Sequence, residues 1–320
     1  MSHRRIPASS PRLRRCLLAV PASSMKMMTK ALTTEADAVF LDLEDAVSAD
    51  EKPQARQTAI EAIRELDWKA HGKTISLRVN ALDTVWTTYD LIEVLEAAGD
   101  KLDTVILPKV GSAHDLYAID VIASQIAASK GIAPVGLEGL IETAQGVANL
   151  AEIASYNREI GGGRLEALHF GAGDYSASVG ARTTEIGGLN ADYPGDQFHM
   201  QLSSLVAHCR ANGIVPMDSA YGNFNDSEGY IAAAKRAAAI GFGGKWAIHP
   251  SQIALANEVF SPSADDVAMA RAILKAMEDA AAQGKGAAQY QGKMIDMASE
   301  RMARSVLAIH DAISLQHSAS

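Results

Sequence analysis

Eight short apolar runs, each followed by a helix-like segment, constrain this chain more than any other feature. They cover residues 16–20, 39–43, 75–79, 105–107, 135–141, 165–170, 214–217 and 245–248. Most are continuously apolar instead of alternating, as strands are when both faces of a parallel sheet are covered. Helix-like segments lie between them at 24–34, 52–66, 88–98, 113–129, 197–211 and 226–239. The stretch 134–175 shows the repeating unit, with VGLEGLI and LEALHF flanking the helix-like AQGVANLAEIA. A right-handed crossover brings two such strands out at the same edge of the sheet. Eight units describe an α/β protein with a (β/α)8 TIM barrel; an open doubly wound sheet is the alternative, because closure is not written in the pattern.

The remaining segments divide the chain. Residues 1–13 read as a flexible basic leader, with Pro7 and Pro11 interrupting any amphipathic transit helix, and 14–262 as the catalytic barrel. Residues 263–320 read as a helical extension: a helix over 264–283, a linker GKGAAQYQGKM, and a second helix over 296–313. A net charge of -9 argues against a nucleic-acid surface. No apolar run approaches the roughly 18 residues of a membrane span, so no membrane partner is expected. Cys16 and Cys209 supply neither a metal quartet nor a disulfide framework. The expected compartment is the cytoplasm, or the mitochondrial matrix if the source is eukaryotic.

Barrel enzymes keep their chemistry at the C-terminal strand ends. Here those ends carry Pro21-Ala22-Ser23, then Asp42, Glu44 and Asp45, then Arg78 and Asn80, then Pro108 and Lys109. Glu142, Asp174, Asp218 and His249 follow at the fifth to eighth strands. Each has a structural reading as well: Asp45 as a helix cap, Asn80 in a turn, Lys109 ion-paired with Glu44 or Glu142. Together, acidic groups beside a strand-borne arginine point to metal-assisted work on an oxyanion. Mg2+ takes few protein ligands and leaves positions for a chelating 2-oxo acid, so Glu142 and Asp174 are candidate metal ligands. Arg78 would stabilise the developing negative charge. No Walker motif or zinc spacing occurs, and Ser176 and Ser178 lack a His/Asp pattern for nucleophilic catalysis.

The runs VFLDLEDAV, RVN, LPKV, IETAQG, HFGAGDY and GKWAIHPSQI resemble the citrate lyase β-subunit/HpcH-HpaI aldolase superfamily. TTEIGGLNADY and KWAIHPSQIALANEVF look most like its acyl-CoA lyase branch, which acts on malyl-CoA, β-methylmalyl-CoA and citramalyl-CoA. The resemblance implies Mg2+ (or Mn2+) on Glu142 and Asp174, Arg78 as the oxyanion residue, and coenzyme A as part of the substrate. It implies an acyl-CoA thioester and a 2-oxo acid as reacting partners. It also matches Asp296, in Met294-Ile295-Asp296-Met297, to an acid/base that reaches a neighbouring subunit, and so implies a homotrimer or homohexamer. Substrate and coenzyme A contacts are expected from Arg15, Ser23, Lys26, Asp45, Lys109, Ala172, Gly173, Asp218 and His249. Two departures stand out: Ala22 replaces the family's usual loop glycine, and Ser219-Ala220 follows Asp218 where malyl-CoA lyases tend to carry glycine and proline. The rival readings are a malyl-CoA thioesterase, a CoA-independent 2-oxo-acid aldolase, and a citrate lyase β-subunit.

Overall fold

A computed structural model describes residues 12–183 and 185–319. The expected leader therefore lies outside the described residues except at 12–13. The described chain forms two compact units, which meet at Glu258/Val259.

In the first unit, β1 (Cys16–Pro21) leads to α1 (Met25–Leu32), β2 (Ala38–Asp42) to α2 (Lys52–Glu65), and β3 (Thr74–Arg78) to α3 (Thr87–Ala98). Next come β4 (Thr104–Leu107), α4 (Ala113–Lys130) and β5 (Gly136–Ile141). The segment read as one helix after β5 is two, α5 (Ala144–Ala148) and α6 (Leu150–Glu159), broken at Asn149. Then follow β6 (Leu165–Phe170), α7 (Ala172–Ser178), α8 (His199–Ala211), β7 (Val215–Asp218), α9 (Ser227–Ile240), β8 (Gly244–Ala247) and α10 (Ile253–Val259). All eight strands pair in parallel with their sequence neighbours, and β8 closes on β1 with Leu18 opposite Ala247. The sheet is thus a closed barrel, and the open-sheet alternative is excluded.

Side-chain alternation along each strand sorts residues between the barrel axis and the helix layer. Leu17, Ala38, Phe40, Ile106, Leu140, Ala167, Met217 and Trp246 meet in one buried cluster on the axis. Local capping fixes where the helices start. Thr143 accepts from the Gly146 amide to open α5, and Ser112 and Asp115 form a reciprocal capping box on α4.

The second unit contains α11 (Ala264–Ala282), β9 (Ala288–Tyr290), β10 (Lys293–Ile295) and α12 (Met297–Ala319), with the two helices packed on each other. The linker expectation is corrected here, because β9 and β10 form an antiparallel hairpin. Gln291 and Gly292 turn it with φ of 47° and 76°. Positive φ at both positions is the tight-turn geometry that matches strand twist.

Candidate active site

The C-terminal strand ends gather the acidic groups around two cations. Arg78, at the end of β3, donates from Nε to Asp42 Oδ1 at 2.8 Å and from Nη2 to Asp42 Oδ2 at 2.7 Å. Its Nη1 lies 3.0 Å from Glu44 Oε2 and 3.3 Å from Asp45 Oδ2. Phe40 and Trp246 each place a ring centroid 5.6 Å from the guanidinium carbon. A guanidinium carries five N–H donors. Two are committed to Asp42 as hydrogen bonds and Nη1 meets Glu44 and Asp45 as ion-pair contacts, which leaves the second N–H of Nη2 outside these contacts. Burial opposes the charge, but Asp42, Glu44 and Asp45 outweigh it and hold Arg78 firmly protonated.

Lys109 is the second cation. Its Nζ contacts Glu44 Oε1 at 2.5 Å and lies 3.9 Å from Asp174 Oδ1. Its backbone is left-handed, with φ 53°, a strained choice for a residue other than glycine. This turn lets its own backbone amide donate to Glu142 Oε1 at 2.9 Å. Burial works against the ammonium, yet the Glu44 hydrogen bond and the surrounding acids raise its pKa. The ion pair with Glu44, one of the two structural readings of Lys109, is thus present.

Glu142 is the most perturbed acid of the group. It is 2% exposed, and burial first, then the charges of Glu44 and Asp174, push its carboxyl up to about 8. Its Oε2 accepts no hydrogen bond from the described residues. Gly171 packs so closely that a Cβ there would sit 2.5 Å from Glu142 Oε2, so only glycine fits against this carboxylate. Asp174 stands in the first turn of α7 with its side chain 45% exposed. Burial also raises Glu44, against the pull of Arg78.

The other expected contacts divide. Ser23 is exposed in the loop after β1, and Lys26 is exposed on α1. Ser24 caps that helix by accepting from the Met27 amide. His249 is exposed and stacks on Phe224 with centroids 4.8 Å apart. Ala172 and Gly173 form the first turn of α7 beside Asp174. Two residues do not join the group. Arg15 precedes β1, at the opposite end of the barrel, and its guanidinium holds Asp37 at 2.7 Å. Asp218 neighbours the axial Met217, so alternation turns it outward. There it pairs with Lys245 Nζ at 2.6 Å, and that ammonium also lies 5.6 Å from the Tyr230 ring on α9. With Ala172, Leu202 and Ala237 this pair lines a cavity of ≈ 260 Å³ between the strands and the helix layer, behind the mouth. In the second unit, Asp296 Oδ1 accepts from the amides of Ala298 at 2.9 Å and Ser299 at 3.2 Å, which caps α12.

The pattern of the HpcH/HpaI aldolase/citrate lyase family matches residues 15–250. The chain belongs to that family. An L-malyl-CoA/beta-methylmalyl-CoA lyase of Cereibacter sphaeroides is 45% identical over 317 residues, covering 96% of this chain and 98% of the relative. A (3S)-malyl-CoA thioesterase from the same species is 34% identical and covers 93% and 95%. Among solved structures, CitE of Mycobacterium tuberculosis in complex with magnesium, acetoacetate and coenzyme A superposes with a TM-score of 0.72 at 30% identity, covering 92% of this chain and 97% of that one. This member of the HpcH/HpaI aldolase/citrate lyase family is a carbon–carbon lyase.

A magnesium site suits the donors present. Among the described residues no three His, Cys, Asp or Glu side chains converge as a ready-made cage, and Mg2+ needs only one or two carboxylates. A nearly buried carboxylate with an unpaired oxygen, raised by like charges, is the environment a divalent cation relieves. Sequence reading named Glu44 as a strand-end acid but left it out of the site, although it bridges the two cations. It missed Phe40 and Trp246 altogether. Both read as ordinary core positions, and only their placement on the barrel axis reveals the contact with Arg78.

Proposed function

We propose that this chain is a Mg2+-dependent acyl-CoA lyase. It reversibly cleaves a 3-hydroxyacyl-CoA with a free carboxylate (malyl-CoA, β-methylmalyl-CoA or citramalyl-CoA) into acetyl- or propionyl-CoA and a 2-oxo acid such as glyoxylate. The observation that carries the reading is Glu142: buried, half-satisfied, and flanked by two further acids at the mouth of the barrel. The 45% identity to a lyase named for malyl-CoA and β-methylmalyl-CoA supports the substrate class. Glu142 and Asp174 would hold Mg2+, which supplies Lewis-acid polarisation of the 2-oxo acid oxygen.

The chain's own groups do the rest. Lys109 orients Glu142 through its backbone amide and keeps Glu44 ion-paired. Arg78 offers its remaining Nη2 hydrogen to the thioester enolate oxygen, and its carboxylate clamp prevents reorientation as charge develops. Cleavage passes the hydroxyl proton to solvent, breaks the bond between the hydroxyl-bearing carbon and the thioester α-carbon, and leaves the 2-oxo acid carbonyl and an enolate that takes up one proton at its α-carbon. Asp296, contributed by a neighbouring copy in a homotrimer or homohexamer, returns that proton and removes it in condensation. Its Oδ1 caps α12, while Oδ2 has no partner among the described residues.

The test is a panel of malyl-, β-methylmalyl- and citramalyl-CoA with Mg2+, in which phenylhydrazine detects the released 2-oxo acid. Inactivity on all three overturns the reading. The 34% identity to a malyl-CoA thioesterase supports a second reading, hydrolysis of the thioester. Release of free CoA without 2-oxo acid would identify it. Asp296→Asn and Glu142→Gln should each be inactive alone. If Asp296 acts on a neighbour, mixed oligomers of the two variants contain sites with both acids intact and regain activity.

A further inference from the structure

The barrel interior carries a polar chain that leads to Arg78. At its far end Arg14, just before β1, donates to Glu138 Oε1 on β5 at 2.9 Å, and Thr104 on β4 donates to the same oxygen at 2.9 Å. Glu138 Oε2 lies 2.7 Å from His169 Nε2 on β6. The Trp246 indole Nε1 on β8 donates to His169 Nδ1 at 2.9 Å. The face of that indole then lies 5.6 Å from the Arg78 guanidinium, and its ring packs 4.6 Å from Phe40. Arg14, Glu138, His169 and Trp246 are each 7% exposed or less.

The proton positions along this chain follow from its ends. An indole N–H only donates, so His169 Nδ1 must accept and carries no proton. The imidazole proton is then on Nε2, where Glu138 accepts it, and Arg14 balances the carboxylate charge. Glu138 thereby selects the His169 tautomer, and the tautomer selects which way Trp246 can face. A flipped indole would lose its acceptor and leave two buried polar atoms unpaired. Apolar side chains usually fill a barrel interior, and a buried ion pair replaced by well-packed apolar groups is often no less stable. Stability alone therefore gives weak reason for this chain.

We propose that Glu138, His169 and Trp246 are positioning residues that fix the Arg78 guanidinium at the mouth of the barrel. Asp42 and Glu44 hold the edge of Arg78, and Phe40 and Trp246, with ring centroids 4.6 Å apart, pack together against one side of it. The carboxylates alone would let the guanidinium plane pivot about its hydrogen bonds; the indole face sets its tilt. The tilt decides where the uncommitted Nη2 hydrogen points. This inference rests on the reading of Arg78 as the oxyanion residue.

The test uses the full chain with Mg2+ and malyl-CoA as probe. Trp246→Phe keeps a ring but removes the N–H. It should lower kcat on the order of tenfold, while KM stays within about twofold. The NMR signal of Arg78 Nε–H should shift in the same variant. A pair of substitutions at His169 separates positioning from packing. His169→Asn keeps an acceptor near the Nδ1 position, whereas His169→Gln reaches Glu138 but loses the acceptor for Trp246. The relay requires Asn to retain more kcat than Gln; filling of space alone favours the larger Gln. Wild-type kcat and an unmoved Arg78 signal in Trp246→Phe would overturn the proposal. If Trp246→Phe fails to fold, equal activity of the two His169 variants, or Gln above Asn, overturns it. Arg78→Lys separates the two readings. Full activity there removes the oxyanion role and the relay with it, whereas an inactive Arg78→Lys beside an unimpaired Trp246→Phe removes the relay alone.

Discussion

Glu138 and Glu142 stand four positions apart at β5, both almost fully buried, and their carboxyls are driven in opposite directions. Burial raises both. At Glu138 the Arg14 charge and the His169 hydrogen bond overcome it and hold the acid well below the usual carboxylate range. At Glu142 the nearest charges are themselves acidic, and the carboxyl rises to about 8. In the lower half of the barrel Asp37, Asp103, Glu138 and Glu166 each have an arginine partner within the chain. Arg12 reaches Asp103 and Glu166, Arg14 reaches Glu138 and Glu166, and Arg15 holds Asp37. At the upper end, Asp42, Glu44, Asp45, Glu142 and Asp174 outnumber the cations beside them, Arg78, Lys109 and Lys52. Charge left open on a rigid strand end is what a binding site for a cation requires; charge closed on a strand interior can only hold other groups in place.

Exchanging the two acids for amides breaks this comparison most sharply. Glu142→Gln should lose activity on the order of a thousandfold or more, a barrier increase of about 4 kcal/mol. It should fold as well as the parent and lose its thermal stabilisation by Mg2+. Glu138→Gln should do the reverse in stability, because it leaves the Arg14 charge buried beside a neutral group. The expected cost is about 3–5 kcal/mol by urea denaturation, with Mg2+ binding kept. Equal stability of the two variants would show that the halves of the barrel do not differ as described.

The pH dependence of the metal-free protein comes next in size. Glu142 titrates at about 8 in the folded chain against an ordinary value of 4.5. Between these values the folded state holds the proton more tightly than the unfolded one. Stability therefore falls as pH rises through that window. Glu138 has the opposite sign, since its stabilisation is fully present above the ordinary carboxylate value and is lost only as pH falls below it. In EDTA, Tm should decline from pH 5 to pH 8, and the decline should vanish in Glu142→Gln. Mg2+ should stabilise the parent more at pH 8 than at pH 6, because less proton is displaced on binding. A Tm that rises through this range in EDTA would contradict the placement of Glu142.

The strands were legible because their chemistry is simple. β2 is buried along its whole length and is apolar up to Asp42, and its expected bounds differ from the observed by one residue. The acids Glu142 and Asp174 stood out because they follow such runs, Glu142 by one position and Asp174 by four. What was lost is information about direction. Asp218 ends a strand as Glu142 follows one, but Met217 beside it occupies the axis, so Asp218 points into the helix layer and meets Lys245. Counting alternation from the apolar neighbours would have shown this. Arg15 was misplaced for the plainer reason that it lies before β1, a strand length from the mouth. The β9–β10 hairpin escaped because three-residue polar strands have no periodicity, and its only signal is the Gln291-Gly292 turn. The Trp246–His169–Glu138 chain involves three strands distant in sequence, and nothing local announces it.

The smallest expected effect compares two acids that share one arginine. Asp42 is 3% exposed and meets Arg78 with both oxygens, while also accepting the amides of Glu44 and Ala46. Asp45 meets the same guanidinium at 3.3 Å with its side chain 58% exposed. Water screens the second pair, and such surface pairs contribute about 0–1 kcal/mol. Asp45→Asn should therefore shift Tm by no more than about 2–4 °C, with kcat little changed, because Arg78 keeps its clamp on Asp42 and Glu44. Asp42→Asn should weaken both the fold and turnover, since it removes a charge from a bidentate buried contact and the loop amides lose their strongest acceptor. If thermal scans and malyl-CoA cleavage instead rank Asp45 above Asp42, Arg78 is held from the solvent side, and the clamp that leaves its last Nη2 hydrogen free is not the one that orients it.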